Sequence, residues 1–453
     1  MAGSSLADLL TTVENPVTML RNNDFEGHTY DFPDEYSHWI EEQRAVRESA
    51  AVVDQSYHMG VMRIEGSEAV DLLSRVSINN YENVRNGDPP QARNISVCNP
   101  DGYAIGDNIL FYTDEETFTA VGGPWVNNWI RYNAEISDLD VDTEVVFRPF
   151  DERSPEEFRF QVQGPDALTI LDEVVDGSLP DIPFFQMDTV SINGVETFAL
   201  GHGMAAMPGL EIFGPYEAHD EVLEAILAAG EQYGIRQMGS KAYKTGKIGS
   251  GWFVMPLPAI YESDEMADYR RWLSADSMEA NLSIGGSFDS DDITDYYISP
   301  VERGQGKLID FEKDFIGKEA LREMMDDRER EKVTLVWDDD DVIDCFASLF
   351  REGETYKFID LPDTASTWSH THYDEIVKDG KTVGLSKYPG YLYYKREMLS
   401  LATIDREYSE PGTTVSFVWG DQTDTAQVER HQLREIEATV APAPYVRGGR
   451  RDM

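Results

Sequence analysis

The sequence predicts an α+β protein made of two related α+β units and a C-terminal antiparallel β-domain of barrel-like form. Three observations predict it. A short phrase recurs, "IEGSEAVDLLSRV" at Ile64–Val76 and "VQGPDALTILDEV" at Val162–Val174. Hairpin signals surround both copies. From Lys332 onward the chain turns to short alternating runs, "KVTLVW", "LSLATID" and "TTVSFVW", with turn residues between them, which is strand patterning.

Each copy of the phrase reads as a strand ending at Gly66 or Gly164, followed by a helix. Ser67 is the expected N-cap of the first helix, Pro165 suits a first turn, and Glu68 and Asp166 complement the helix dipole. A third, weaker copy is "FIGKEALREMM", Phe315–Met325. Strand-like "VVDQSYHMGVMRI" precedes the first helix, and "NILFYTDEETFTAVGG" reads as a hairpin with a polar four-residue tip. In the second unit, "GLEIFGPYEAHDEVLEAILAAGEQYGI" reads as strand, turn and helix. That helix has Val222, Ile226 and Ala229 on one face and Gly234 as its C-cap. "RPFDERSPEEF", Arg148–Phe158, is the linker between units, so domains are expected at 1–150, 151–325 and 326–453. Asp338–Asp341 is expected to be a charged loop and not a metal site, and the tail after Tyr445 to fray.

A chain of 453 residues exceeds one core, in keeping with two or three domains. The formal net charge of −47 is spread along the chain, and 41% of residues are hydrophobic. That is a packed globule and not a disordered polyanion. Such a surface repels nucleic acid and anionic membrane. Evenly acidic and poor in lysine, it reads as adaptation to molar salt, where screening removes self-repulsion. Met1–Leu20 has no cleavable apolar leader, and no apolar run is long enough to span a bilayer. Only Cys98 and Cys345 occur, so no disulfide framework or cysteine metal site is implied. The expectation is a soluble, cytoplasmic, halophilic protein.

No Walker loop, dinucleotide fingerprint, H-E-x-x-H or nucleophile elbow is present. "NPDGYAIGDNILFY", Asn99–Tyr112, is a tight turn and then a strand. Alternation puts Tyr103, Ile105, Asp107, Ile109 and Phe111 on one face. A carboxylate there is costly unless paired, hydrogen-bonded or at a rim. Gly106 marks a bulge that would turn Asp107 outward, so a surface aspartate and a functional one both stand. "HTHYDE", His370–Glu375, carries two imidazoles on one strand face, either metal ligands or part of a loop. His58 reads as a core histidine. The first lysine of the chain is Lys241, and Lys244 and Lys247 follow around Tyr243. This local charge reversal reads as an anchor for a ligand anion, or as an uneven draw of surface lysines. It also lowers the cost of ionising Tyr243.

"VVDQSYHM…IEGSEAVDLL", "NPDGYAIGDNILFY", "GMAAMPGLEIFGPYE" and "DFEKDFIGKEAL" together resemble the tetrahydrofolate-dependent methyl- and aminomethyltransferases typified by the glycine-cleavage T-protein. The resemblance runs from about Met19 to Tyr445. Within that superfamily "MLRNN", "SHW", "GSFDS", "DYYISP", "FASLF", "YKFIDLP" and "LSLATID" are similar to the vanillate/3-O-methylgallate O-demethylase branch. Singly these phrases are weak signals; together they are specific. The fold implied is a three-domain ring around a central folate site, its last domain antiparallel β.

Position by position, the resemblance implies that Asp107 sits at the reacting end of the folate and that Glu211 bonds the pterin ring. Gln161 and Trp252 match further folate contacts. Tyr243 matches the tyrosine essential for demethylation, and His58 and Tyr30 match residues lining the aryl pocket. An aryl methyl ether needs in-line geometry and a proton donor at the departing oxygen. Tyr243 is the expected donor, with His58 orienting the substrate and Asp107 polarising the pterin side; no metal is required. Two positions depart from the branch. Gly123 stands where an arginine clamps the substrate carboxylate, and Gly249 replaces an acid. Lys244 or Lys247 are then the candidate anchors, and Trp125 would suit a ring or a cation, which leaves methyl-onium donors open. The implied activity moves a methyl group from a small methoxyaromatic or related donor to tetrahydrofolate. The alternatives are an aminomethyltransferase that docks a lipoyl carrier protein, and a folate-binding protein without turnover.

Overall fold

A computed structural model of the protein describes residues 4–23, 32–82, 84, 90–114, 117–148, 154–254, 256–362, 370–422 and 430–446. The recurring phrase has one physical cause in both copies. Gly66 and Gly164 adopt φ of +133° and +138°. A Cβ there would lie 2.1 Å from the Asp140 carbonyl oxygen and 2.4 Å from that of Ser49. Only glycine permits both the conformation and the backbone crossing. The helices begin later than expected, at Ala69 and Ala167. Ser67 is therefore not an N-cap: Glu68 holds that position without a side-chain cap, and Ser67 Oγ donates to Asp140 Oδ2 at 2.8 Å. Pro165 likewise precedes the N-cap, Asp166.

The two units share a topology. In the first, the phrase strand Gly60–Glu65 pairs with the last strand of a meander, Gln91–Cys98, Ala104–Asp114 and Thr117–Gly122; Asp142–Phe147 flanks its other side. In the second, Glu157–Gln163 pairs in the same way with the last strand of Met187–Ile192, Val195–Gly201 and Gly209–Pro215. Each meander ends in a helix, Pro124–Glu135 or His219–Gly230. The second sheet gains a strand from early in the chain, Ala51–Asp54, antiparallel to Glu157–Gln163 and parallel to Arg236–Gln237. "VVDQSYHMGVMRI" is thus two strands in different sheets, joined by a turn that carries His58. Of the expected hairpin tip, residues 115–116 lie outside the described residues, as does Tyr30.

The sheets pack face to face, Phe111 and Val121 of one against Leu200 and Phe213 of the other. Helices cover the outer faces through Leu72, Val76, Val126 and Ile130 on one side and Ile170, Leu171, Val222 and Ile226 on the other. The C-terminal region is a closed six-stranded antiparallel barrel around Leu335, Trp337, Phe417, Trp419 and Ile436. The acidic run at 338–341 is not a loop. Asp338 caps a helix, Asp339–Ser348, accepting from the Asp341 N–H at 3.0 Å, and the following acids complement its dipole. In "HTHYDE", His372 lies between Asp374 and Asp421, at 2.9 and 3.1 Å, and His370 Nδ1 is 2.8 Å from Ser283 Oγ. Burial, then the neighbouring His372 and Lys357, push His370 down to about 3. Among the described residues no cluster of three or more His, Cys, Asp or Glu is arranged to hold a metal ion, and no helix is long and apolar enough to cross a membrane.

Candidate active site

Asp107 owes its direction to a bulge. Val97 faces Gly106 and Cys98 faces Ala104, so Ile105 is the extra residue. The expected alternation breaks there. Ile105 enters the core behind the sheet, while Asp107 and Ile109 face a pocket. Gly106 is required: a Cβ would lie 2.4 Å from the Trp125 ring nitrogen. The bulge therefore aims the carboxylate inward. There it is paired, by Arg303 Nη2 to Oδ1, Asn94 Nδ2 to Oδ2 at 3.2 Å and Gln305 Nε2 to Oδ2 at 3.4 Å. The Asp107 and Arg303 side chains are 4% and 1% exposed. Arg303 also donates to the Phe253 carbonyl at 2.6 Å. From the barrel, Lys332 Nζ donates to the carbonyls of Gly251 and Arg303, both at 2.8 Å, and so ties down the two loops beside the pocket.

Glu211, on Gly209–Pro215, forms the facing wall. Arg159 Nη1 donates to its Oε1 at 2.6 Å, and His202 Nδ1 lies 3.7 Å from its Oε2. Gln161, opposite Glu211 in register, is fully buried. Its amide nitrogen donates to the carbonyls of His202 and Leu210 at 2.7 and 3.2 Å. Its oxygen therefore faces His202 Nδ1, at 3.0 Å, and Nδ1 carries the hydrogen. The expected direct cofactor contact of Gln161 is not available: the side chain stands behind His202 and off the pocket wall.

Helix Ser240–Ser250 closes the third side with Tyr243, Lys244 and Lys247. Tyr243 Oη accepts from Gln55 Nε2 at 2.9 Å and lies 3.1 Å from His58 Nε2. Burial, then the Glu211 charge, push its phenol pKa up, against a smaller downward pull from Gln55. Lys247 is 8% exposed, its ammonium 5.4 Å from the Tyr388 ring centre. Lys241 turns away to Glu35, at 3.2 Å.

One pocket thus gathers Asp107, Glu211, Tyr243, His58, Lys244, Lys247, Trp252, Gly123 and Trp125, with Met59, Ile109, Phe185, Met204 and Val254 as apolar wall. Trp125 is 2% exposed, its ring atoms 2.3 Å from where a Gly123 Cβ would be. The indole thus fills the space of any side chain at 123. A Cβ on Gly249 would face Tyr394 and Val446 of the C-terminal region, 3.1 Å from each, and not the pocket. Sequence reasoning missed Gln55, Asn94, Arg159, His202 and Arg303. Gln55, in the same short phrase as His58, is the one that a polar residue at the end of an apolar strand would have flagged.

The chain belongs to the family described as the GCVT N-terminal domain, whose model matches residues 20–256. A syringate O-demethylase of Sphingobium sp. is 37% identical over 449 residues, 97% of this chain and 96% of that protein. A sesamin methylene transferase of Sinomonas sp. is 29% identical, covering 84% and 82%. An aminomethyltransferase of Thermoanaerobacter sp. is 26% identical, covering 68% and 72%. The solved structure of glycine cleavage system aminomethyltransferase T from Bartonella henselae superposes with a TM-score of 0.61 at 16% identity, over 97% of this chain and 96% of that one. The three-part architecture is therefore the T-protein fold.

Proposed function

We propose that this protein is a tetrahydrofolate-dependent methyltransferase. It removes a methyl group from a small methoxyaromatic compound or related methyl donor and yields 5-methyltetrahydrofolate. The observation that carries the reading is the Tyr243 hydroxyl, in one pocket with two carboxylates from separate chain segments, Asp107 and Glu211.

The donor set fits a reduced pterin. Glu211 is acceptor-rich and suits the N–H edge of the ring, and Trp252, Phe185 and Met204 offer apolar wall for its faces. Asp107, fixed by Arg303, Asn94 and Gln305, faces the same space. Gln161 supports the site through His202. When bound, tetrahydrofolate supplies the nucleophilic nitrogen that accepts the methyl group. The chain holds the donor in line, excludes water and delivers a proton to the departing oxygen. Gln55 and His58 flank Tyr243 Oη. With Gln55 donating, and His58 donating in its Nε2–H form, the hydroxyl hydrogen is left to face the pocket. Because the phenol pKa is raised, Tyr243 acts as a neutral donor.

The donor is not anchored from position 123, where Trp125 fills the space. Lys244 and Lys247 are the cations on the pocket wall for a substrate carboxylate or the acidic tail of the folate. The demethylase reading is preferred to carrier-dependent aminomethyl transfer because the syringate O-demethylase matches nearly the whole chain at higher identity. A net charge of −47 supports a cytoplasm at molar salt and argues against nucleic acid as a partner.

Calorimetric titration with tetrahydrofolate in molar KCl tests the reading. The wild type binds, and Glu211→Gln weakens binding by about tenfold to a hundredfold, the loss of a hydrogen bond to a charged group. No binding by the wild type overturns it.

A further inference from the structure

Arg159 lies outside the pocket, yet it makes a close ion pair with Glu211, 2.6 Å from Nη1 to Oε1. It sits in the seam between the two sheets. Its guanidinium carbon is 4.6 Å from the centre of the Phe111 ring and 4.3 Å from that of Phe213, one ring from each sheet. Nη2 donates to Glu157 Oε2 at 3.1 Å, and the backbone N–H donates to Ser56 Oγ at 3.0 Å. The side chain is 4% exposed and that of Glu211 3%.

A buried ion pair in an apolar seam is a poor stabiliser, since apolar residues of the same volume often serve as well or better. Here its position is the informative fact. The register sets Phe213 opposite Arg159 and Glu211 opposite Gln161, so Arg159 reaches Glu211 diagonally across the strand pair on the same sheet face. One carboxylate oxygen is taken from behind. The other is left to the pocket, with His202 Nδ1 3.7 Å away and held by Gln161. The two rings also touch each other, 4.9 Å between centres, so the guanidinium lies across both on one side. Held there and by its bonds to Glu211 and Glu157, it fixes the Glu211 carboxylate in turn.

We propose that Arg159 is the positioning residue of the folate site. It balances the charge of Glu211 and turns one oxygen to the ligand, so that pterin affinity depends on a side chain that does not touch the pterin. This rests on the reading that the pocket takes tetrahydrofolate.

The test is a double-mutant cycle on tetrahydrofolate affinity, with turnover measured alongside. Arg159→Met, which keeps an apolar stem against the two rings, raises Kd by about tenfold or more, the scale of a lost charged hydrogen bond. Turnover at saturating folate stays within about threefold, because the defect is in binding. Arg159→Lys recovers part of the affinity. The double variant Arg159→Met/Glu211→Gln binds no more weakly than Glu211→Gln alone, since a neutral amide needs no counter-cation. A Kd for Arg159→Met within about twofold of wild type, or a double variant showing the product of the single losses, overturns the proposal. If Arg159→Met does not fold, Arg159→Lys compared with Arg159→Lys/Glu211→Gln decides by the same criterion. A wild type that does not bind tetrahydrofolate overturns the underlying reading, a failure distinct from normal binding by the arginine variant.

Discussion

Tyr243 concentrates the residue-scale argument. Its hydroxyl is buried, flanked by Gln55 and His58, and less acidic than a free phenol. Tyr243→Phe deletes one oxygen and leaves the ring packing against Phe32, 6.0 Å away between centroids. Methyl transfer then falls by about 10²–10⁴-fold, the usual worth of a positioned proton donor, while tetrahydrofolate Kd is unchanged. The raised pKa adds a pH signature. The donor stays protonated through the ordinary tyrosine range near 10, so kcat shows no tyrosine-dependent fall on approaching that pH. Asp107 was legible as a candidate because a carboxylate in an apolar alternation demands a reason. Its partner was not: Arg303 lies 196 residues further along, and an ion pair formed by folding leaves no local pattern. Arg159 escaped for a related cause, since an arginine among phenylalanines on a strand reads as a polar-face residue until a second sheet covers it.

At the scale of elements, barrel strand Lys381–Leu392 carries the least expected group. Lys387 is 2% exposed, its amine 4.8 Å from the Tyr373 ring centre and 5.8 Å from that of Phe253, with no hydrogen-bond partner among the described residues. Burial, then the neighbouring arginines against Glu302, lower its pKa from 10.5 to about 7. Between those two values the unfolded chain holds a proton that the folded one lacks, so stability rises with pH across that window. Below about 7 the folded protein carries a charged, buried ammonium and is at its weakest in this respect. Lys387→Met removes this group's share of the rise and leaves that of Lys313, whose burial lowers it to about 8; denaturant unfolding at several pH values measures the difference. Element boundaries show where sequence reading succeeds. The two phrase helices were found because glycine, acid and apolar spacing act locally; their caps were misjudged because the Ser67 hydroxyl finds Asp140, which is distant in sequence. The acidic run at 338–341 was read by its charge, although an Asp before three more acids also fits a capped helix start.

For the whole molecule, duplication in sequence became duplication in topology, and the pocket lies where the two sheets, helix Ser240–Ser250 and barrel strand Lys381–Leu392 meet. Local signals could announce the units but not the strand Ala51–Asp54 crossing into the second sheet. The surface charge acts at this scale as well. With a net charge of −47, Tm rises steeply as KCl goes from about 0.1 M to about 1 M, because the screening length shrinks from ~10 to ~3 Å; a flat profile in a thermal melt series contradicts the halophilic reading. The central claim concerns one-carbon chemistry, and one measurement bears on it most directly. The protein is incubated in molar KCl with tetrahydrofolate and methyl-labelled methoxyaromatic, sulfonium and betaine compounds, and the folate product is weighed by mass spectrometry. The account predicts labelled 5-methyltetrahydrofolate from at least one donor. No labelled methyl-folate from any of them, with methylene-folate formed instead from an aminomethyl-loaded lipoyl carrier protein, contradicts it.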